Sequence, residues 1–517
     1  MKRIIVLLIC VAIVFTATGC AIGDLFNRGG SGGGKTAKTE ITVNYDNVRF
    51  KHDNEVLKRL AEKLDVTFVY IDDLGPIETI ITNVAAGNIP ERIGDGVPVN
   101  VINSWIDQGI VIPLKIELLE QYAPKYMEWI NYWTDGDPFR FSMRNGENYW
   151  QPVVWTLGRN VNTVGIRDDW LKNVGINSEP KTLDEFETVL DAFVNKDPNK
   201  SGKNDTFAIS ALDSQYFVTS IVWGAYDVYP GIFYERDGKI VFGDVQPETK
   251  EVLTILNRWY EAGYIDPEWM VNKRDNVIEK MVSDKVGAIE SAWYTFIPAE
   301  AFYGGQYYEG LKGKNPDISF TVLGPVTGPG GKSGIIQTNP DRGGVLYTSV
   351  LKDHEDKIIK YLEEHELTSF DEYWMTMTRW GEEGVTFTYD PENGREWIPP
   401  YDDQAKRDEF GIGAITGTNF NDYEMQKKFM TAARYMDLRA SVEYKSFGQF
   451  DLISPVERPE YAKVTADLTT YIESNIVNFI NGKRSLTEFD DFVKGWYDLG
   501  GTAVMNEAQE VYEKYYK

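Results

Sequence analysis

Residues 180–199 read PKTLDEFETVLDAFVNKDPN. Thr182 and Glu185 stand three apart ahead of an apolar series. That is a capping box: the hydroxyl accepts from an early backbone N–H, and the carboxylate reaches back to the cap. Leu183, Phe186, Val189, Leu190, Phe193 and Val194 then recur at helical spacing and define one apolar face. The spacing predicts an amphipathic helix packed on a neighbouring layer. Upstream, Ile41-Thr42-Val43 is a β-rich run, a charged helix-like stretch covers about Asn54 to Leu64, and Val66–Ile71 (VTFVYI) is strand-like. Strand, helix, strand is the order of an α/β architecture. Downstream, Pro247 to Ala262 reads as a helix stopped by Gly263. Ser485 and Glu488 make a second capping box ahead of Phe489, Phe492, Val493 and Trp496. No repeat of 20–50 residues is visible, which argues against solenoids and propellers.

The chain has 517 residues, enough for two to four domains at about 100–200 residues each. Hydrophobic residues make up 42% and charged residues 26%, which excludes a disordered or membrane-embedded bulk. A formal charge of −26 argues against nucleic-acid binding, which needs Lys and Arg against phosphate. The two cysteines, Cys10 and Cys20, both precede the body, so the body has no disulfide framework, cysteine zinc site or cysteine nucleophile. His52, His354 and His365 are the only histidines, too few for a metal cluster or a histidine triad beside another role. His354 and His365 lie in a Glu/Lys-rich region and read as surface residues. Adjacent acids at Asp72-Asp73, Glu382-Glu383 and Asp490-Asp491 read as solvated faces, since neighbours point apart and a glycosidase needs facing acids. Gly328 to Ser333 fails the phosphate-loop spacing, because Val326 stands where the first Gly is required. The 14 Trp and 30 Tyr supply flat rings that match the apolar C–H faces of sugars.

The start reads MKRIIVLLICVAIVFTATGC. Lys2 and Arg3 precede a run of twelve apolar residues, Ile4 to Phe15, too short for a bilayer core of about 30 Å and suited to an export signal. Thr16-Ala17-Thr18-Gly19-Cys20 resembles the lipobox of bacterial lipoproteins, without the commoner Leu three residues before the cysteine. The resemblance implies cleavage before Cys20 and lipid, including palmitate, on that residue. Asn27 to Glu40 (NRGGSGGGKTAKTE) is a Gly/Ser leash that cannot pack. The expected organisation is a signal peptide at 1–19, then a lipidated Cys20 and linker at 20–40. The acidic body would be repelled by anionic lipid and stand off the outer face of the cytoplasmic membrane, held by the anchor alone.

Ile166 to Leu171 (IRDDWL), Gly175, Pro180 to Phe186 and Lys196-Asp197-Pro198-Asn199 occur in an order that resembles a known family. The match is to the extracellular solute-binding protein family 1 type, the lipoprotein binders of carbohydrate ABC importers. LplA-like lipoproteins are the nearest subgroup and alginate-oligosaccharide binders are relatives. Asp237 to Phe242, Trp380 to Val385 and Tyr461 to Gly482 agree. The N-terminal part matches less well, with Gly87-Asn88-Ile89-Pro90-Glu91-Arg92 where the family has a Pro-Asp pair. The resemblance implies a periplasmic-binding-protein-like (type II) α/β fold of two discontinuous lobes with a central cleft. Crossings are expected near Val154–Asn160, Gly324–Gly344 and Ser369–Trp380. The lobes would then be 41–156 plus about 325–370, and about 157–324 plus 371–517. It also implies a monomeric, non-enzymatic protein with no organic cofactor, which passes an oligosaccharide to permease subunits. A secreted hydrolase or lyase, or a lipoprotein for peptides or another polar solute, are the alternatives.

Trp155 at the first crossing, Trp223, Trp293, Tyr294 and Trp380 are the candidate stacking residues, with core packing an equal alternative for any single Trp. Glu383 lies in the family turn beside Trp380. Arg159 and Arg379 fit a uronate carboxylate, but a surface salt bridge is the favoured reading of both. Asp197, Asn199, Ser201, Lys203 (through its carbonyl) and Asp205 bring oxygens at loop positions 1, 3, 5, 7 and 9, with Gly202 at 6, the pattern of a Ca²⁺ loop. Position 12 is Ala208 in place of Glu, and Phe207-Ala208-Ile209 looks like a strand, so no paired EF-hand is expected. The same stretch also reads as a solvated Asn/Gly turn.

Overall fold

The computed structural model describes residues 38–44, 49–71, 74–212, 215–299, 305–417 and 448–517, with Arg434, Asp437, Leu438, Ala440 and Ser441 between. The signal, Cys20, most of the leash and Asp72-Asp73 lie outside the described residues. β1 (Thr39–Asn44) is followed by α1 (Glu55–Leu64) and β2 (Val66–Ile71), which pairs in parallel with β1. Asn54 caps α1 by accepting from the Leu57 N–H, and Val56, Leu57, Leu60 and Leu64 are its buried face. β3 (Arg92–Ile93) leads to α2 (Val99–Asp107). β4 (Gln151–Val154) is buried along its length.

β5 (Asn162–Arg167) opens a second sheet. α3 (Leu183–Asn195) carries the Thr182/Glu185 capping box and buries the six apolar residues read from its spacing. β6 (Phe207–Ser210), α4 (Thr249–Glu261), β7 (Val286–Ala292) and β8 (Phe320–Leu323) follow. The strand order is β8-β5-β7-β6, with β7 antiparallel to β5 and parallel to β6. Gly263 takes φ 75° just beyond α4, the left-handed turn that glycine adopts without strain.

β9 (Asp341–Tyr347) pairs antiparallel with both β3 and β4. Then come α5 (Glu355–Phe370), α6 (Glu372–Trp380), the hairpin of β10 (Phe387–Asp390) and β11 (Gly394–Trp397), and α7 (Gln404–Phe410). α8 (Pro459–Ile480), α9 (Phe489–Trp496) and α10 (Thr502–Tyr516) end the chain. Ser485 accepts from the Thr487 N–H and caps a 3₁₀ turn, Leu486–Glu488, in place of the expected capping box.

Two lobes result, each around its own core. Ile41, Leu57, Phe68, Leu119, Tyr126, Val154, Tyr347 and Tyr361 share one. Ile166, Phe193, Trp259, Leu323, Ile476, Phe492 and Trp496 share the other. Passage into the second lobe is expected near Ser369–Trp380. Trp374, Met377 and Ala414 are buried in the first core, and the second core next gains Ile453. α6 packs back on α5, so its apolar face extends the first lobe. Helical spacing shows that such a face exists but not which core it covers. His365 is a correction: it is buried, whereas His354 is exposed. His365 Nδ1 lies 3.0 Å from Gln151 Nε2, and burial, with Arg92 nearby, pushes the imidazole down to about 3.

Candidate functional site

Pairing registers bring strand ends of each lobe to one edge. In the second lobe β6 and β7 run parallel, so Ser210 and Ala292 end at the same side, and Ala292 pairs with Asn162 at the start of β5. In the first lobe β3 runs against β9, so the Gly94–Gly96 turn heads toward Asp341, which pairs with Val154. Gly96 N donates to Arg342 O at 3.4 Å. Residues Trp155 to Val161 join the two edges. In open α/β sheets, ligands sit outside the carboxyl ends of strands at such switch points.

The outgoing and returning segments are tied together at this point. Trp155 N donates to Pro340 O (2.8 Å) and Thr338 N to Gly158 O (3.0 Å). A Cβ on Gly158 would meet Thr338 O at 2.8 Å and Pro340 Cα at 3.0 Å, so the crossing backbones need glycine there. Asn162 N donates to Gln337 Oε1 (2.8 Å), and Gln337 Nε2 returns the bond to Asn162 O (3.1 Å). The guanidinium of Arg342 lies over the Trp155 ring, 5.1 Å from its centroid. Nearby, the buried Glu290 carboxylate on β7 accepts from Ser220 Oγ (2.5 Å), Ser220 N (2.6 Å) and Thr219 Oγ1 (2.8 Å). Ser220 Oγ in turn accepts from Ile336 N at 3.1 Å. Burial pushes Glu290 up to about 7 against the pull of its three donors.

Two contiguous cavities, about 870 and 450 Å³, lie between α2 and the chain's last elements and share Val99, Phe141, Trp150 and Pro455. Asn100, Asn103 and Asp107 of α2 face Glu457, Glu510 and Lys514 across the larger one. Asn103 Nδ2 donates to Glu457 Oε2 at 2.5 Å, and Phe141 packs on Tyr515 with ring centroids 5.5 Å apart. The smaller cavity reaches Asp95 and Arg342 at the strand edge. Sequence reasoning missed Arg342, Asn103 and Trp150. Their spacing carries no signal, because Arg342 and Trp150 meet at the smaller cavity through the pairing of β9 with β4, and Asn103 reaches the larger one from α2.

The sequence-expected residues fall in different places. Trp155 and Tyr294 are half-buried around one cluster with Leu157, Val161 and Trp293. Trp293 and Trp223 are both wholly buried, the core-packing alternative for an indole. Trp223 sits in a short helix, Ser220–Gly224, and not in a loop; its indole N–H donates to Phe217 O. The side chain of Arg159 lies outside the described residues, and its backbone is in a 3₁₀ turn, Thr156–Asn160. Arg379, Trp380 and Glu383 belong to the first lobe. Arg379 donates to Gly417 O at 2.6 Å and is pushed down to about 10 by burial. Trp380 is buried under the Arg395 guanidinium. Glu383 is exposed and lines a shallow hollow of about 500 Å³ with Tyr373 and Glu382.

The 197–205 loop gathers its oxygens. Ser201 N donates to Asp197 Oδ1 (2.9 Å) and Asn199 Oδ1 (3.1 Å), and Ser201 Oγ lies 3.1 Å from Asp205 Oδ1 and 3.4 Å from Lys203 O. Gly202 takes φ 72° at the sharp turn. These hard donors fit a divalent cation of the calcium type. Lys285 Nζ holds the other Asp205 oxygen at 2.6 Å and, with Asn199 and Ser201, draws that carboxyl down to about 2. Among the described residues no group of three or more His, Cys, Asp or Glu is placed to hold a metal.

A two-lobed α/β fold with a tied crossing is the architecture of extracellular solute-binding proteins. No protein-family model matches the chain. Lipoprotein LipO of Bacillus subtilis strain 168 is 24% identical over 363 residues, 67% of this chain and 68% of LipO. The fructooligosaccharide ABC transporter substrate-binding protein FusA of Streptococcus pneumoniae serotype 4 is 26% identical over 290 residues, 53% of this chain and 50% of FusA. The polygalacturonan/rhamnogalacturonan-binding protein YtcQ of Bacillus subtilis strain 168 is 22% identical over 368 residues, 68% of this chain and 67% of YtcQ. The structure of S. pneumoniae FusA in complex with kestose aligns with TM-score 0.63 at 20% identity, covering 93% of this chain and 99% of that one. An EF-hand mutant of FusA in complex with fructo-nystose aligns with TM-score 0.63 at 19% identity, with the same coverage of both chains. The chain is therefore similar in sequence to lipoprotein LipO and to the saccharide-binding proteins FusA and YtcQ, and it shares the fold of FusA. Among the described residues no helix is long and apolar enough to cross a membrane.

Proposed function

We propose that the chain is the lipid-anchored, extracytoplasmic capture component of an ABC importer for an oligosaccharide. The observation that carries this is the facing of strand ends across Trp155–Val161, with Arg342 over half-buried Trp155 and half-buried Tyr294 packed on the same cluster as that ring. Flat rings take the apolar faces of a sugar, and the guanidinium and nearby backbone groups take its hydroxyls. Binding closes the lobes about the tied segments, and the closed form is presented to the permease. Cys20 is the anchoring residue and the protein acts as a monomer. The 197–205 loop holds a structural Ca²⁺ through Asp197, Asn199, Ser201, Asp205 and the Lys203 carbonyl, a reading supported by the convergence of those oxygens.

Thermal shift and calorimetry across neutral oligosaccharides, acidic oligosaccharides and peptides test this. One glycan class should bind with micromolar or tighter affinity and be recovered intact. Cleaved products, or binding confined to peptides, would end the reading.

A further inference from the structure

The first lobe holds two guanidinium groups on one indole. Arg395 on β11 pairs across the hairpin with Tyr389 and sits between Trp380 and Trp397, 4.9 Å from each ring centroid. Arg407 on α7 lies over the same Trp397 at 4.7 Å. Nε and Nη1 of Arg395 are buried and meet no hydrogen-bond partner. Among the described residues Arg407 donates to neutral acceptors, Tyr401 O, Asp402 O and Gln404 Oε1. Among the described residues neither arginine has a carboxylate oxygen within 4.0 Å, in a chain with 79 acids. Stacking on an aromatic face offsets part of the cost of desolvating a cation, but it supplies no acceptor for the buried N–H groups. Placing a second cation on the same ring adds repulsion. Burial first, and then Arg407, pushes Arg395 down to about 10, which is the same imbalance seen from its proton.

We propose that Arg395 and Arg407, oriented by Trp380 and Trp397, form a binding site for an oxyanion. A carboxylate or sulfate group supplies both missing elements, negative charge and several acceptor oxygens. The planar guanidinium fork is matched to such groups, and the indole faces fix its plane before the ligand arrives. Neither arginine lines the cavities between the lobes, so this site stands independently of the sugar-capture reading. The anion is either a free inorganic oxyanion or the carboxylate of a sugar acid.

Tryptophan emission and thermal melting of the protein, titrated at constant ionic strength with sulfate, phosphate, galacturonate and glucose, test the site. A saturable response to an oxyanion and none to glucose is expected. Arg395→Met and Arg407→Met should each weaken the midpoint at least tenfold. Saturation by sulfate or phosphate assigns a free oxyanion, and saturation by galacturonate alone assigns a sugar carboxylate. Arg395→Lys, which keeps charge and stem but loses the fork, should show the same weakening if the Met variant fails to fold. No saturable response in the parent protein, or unchanged midpoints in the variants, would overturn the proposal.

Discussion

Arg342 closes over Trp155: its guanidinium carbon stands 5.1 Å from the ring centroid, on the strand that returns to the first lobe beside the segment that leaves it. Such a contact contributes about 0.5–2 kcal/mol depending on solvent exposure. It also fixes the plane of the one expected stacking tryptophan that sits between the two strand edges. A solute that stacks on Trp155 thus meets a ring already held.

Trp155→Ala should lower affinity for the preferred oligosaccharide at least tenfold by calorimetry. Trp223→Phe should do the reverse, lowering the melting temperature while leaving Kd unchanged, because the Trp223 indole is wholly buried. Equal loss of affinity in both variants would remove Trp155 from the site.

Calcium should act through stability. Chelation is expected to lower the melting temperature and added Ca²⁺ to restore it, and Asp197→Asn should abolish the response. Lys285→Met, which frees an Asp205 oxygen, should tighten calcium binding. A melting curve indifferent to chelator speaks for a plain turn.

Glu290 makes stability depend on pH. Its folded value of about 7 lies above the ordinary carboxyl value, so the folded state holds the proton more tightly. Its contribution is greatest below about pH 4.5 and falls as pH rises to about 7, by up to about 3 kcal/mol. Glu290→Gln should flatten that decline in melts from pH 5 to 8. Asp244, raised to about 7, and Asp451, raised to about 6, add declines of the same sign that the variant keeps.

His365 works in the opposite direction. Its folded value of about 3 lies below the unfolded one, so stability is intact above about pH 6.5 and is lost as pH falls toward 3, by up to about 5 kcal/mol. His365→Gln should resist acid unfolding better than the parent. The two groups oppose each other between about pH 4.5 and 6.5, so the variant-minus-parent difference carries the sign.

Local signals were legible. The Thr182/Glu185 box, the apolar face of α3, the strands at Ile41 and Val66 and the stop at Gly263 each depend on neighbours within a few residues. The resemblance blocks carried the fold class. The placement of α6 and the burial of His365 were not legible, because a helical face looks the same whichever core it covers. Nor was the burial of Trp223 and Trp293, since an indole that stacks on sugar and one that fills a core have the same composition.

By itself the sequence determined that this is an acidic, cysteine-poor, aromatic-rich α/β chain with a signal-like start, a leash and an oxygen-rich loop. These follow from residue type and short-range spacing, where the physics is capping, periodicity and charge. Only the tertiary structure decided which tryptophans keep a face at the crossing, which core the face of residues 372–380 joins, and that Arg342 meets Trp155 while Arg395 meets no acid among the described residues. Those outcomes depend on strand register and core competition between segments far apart in the chain, and no local pattern encodes them.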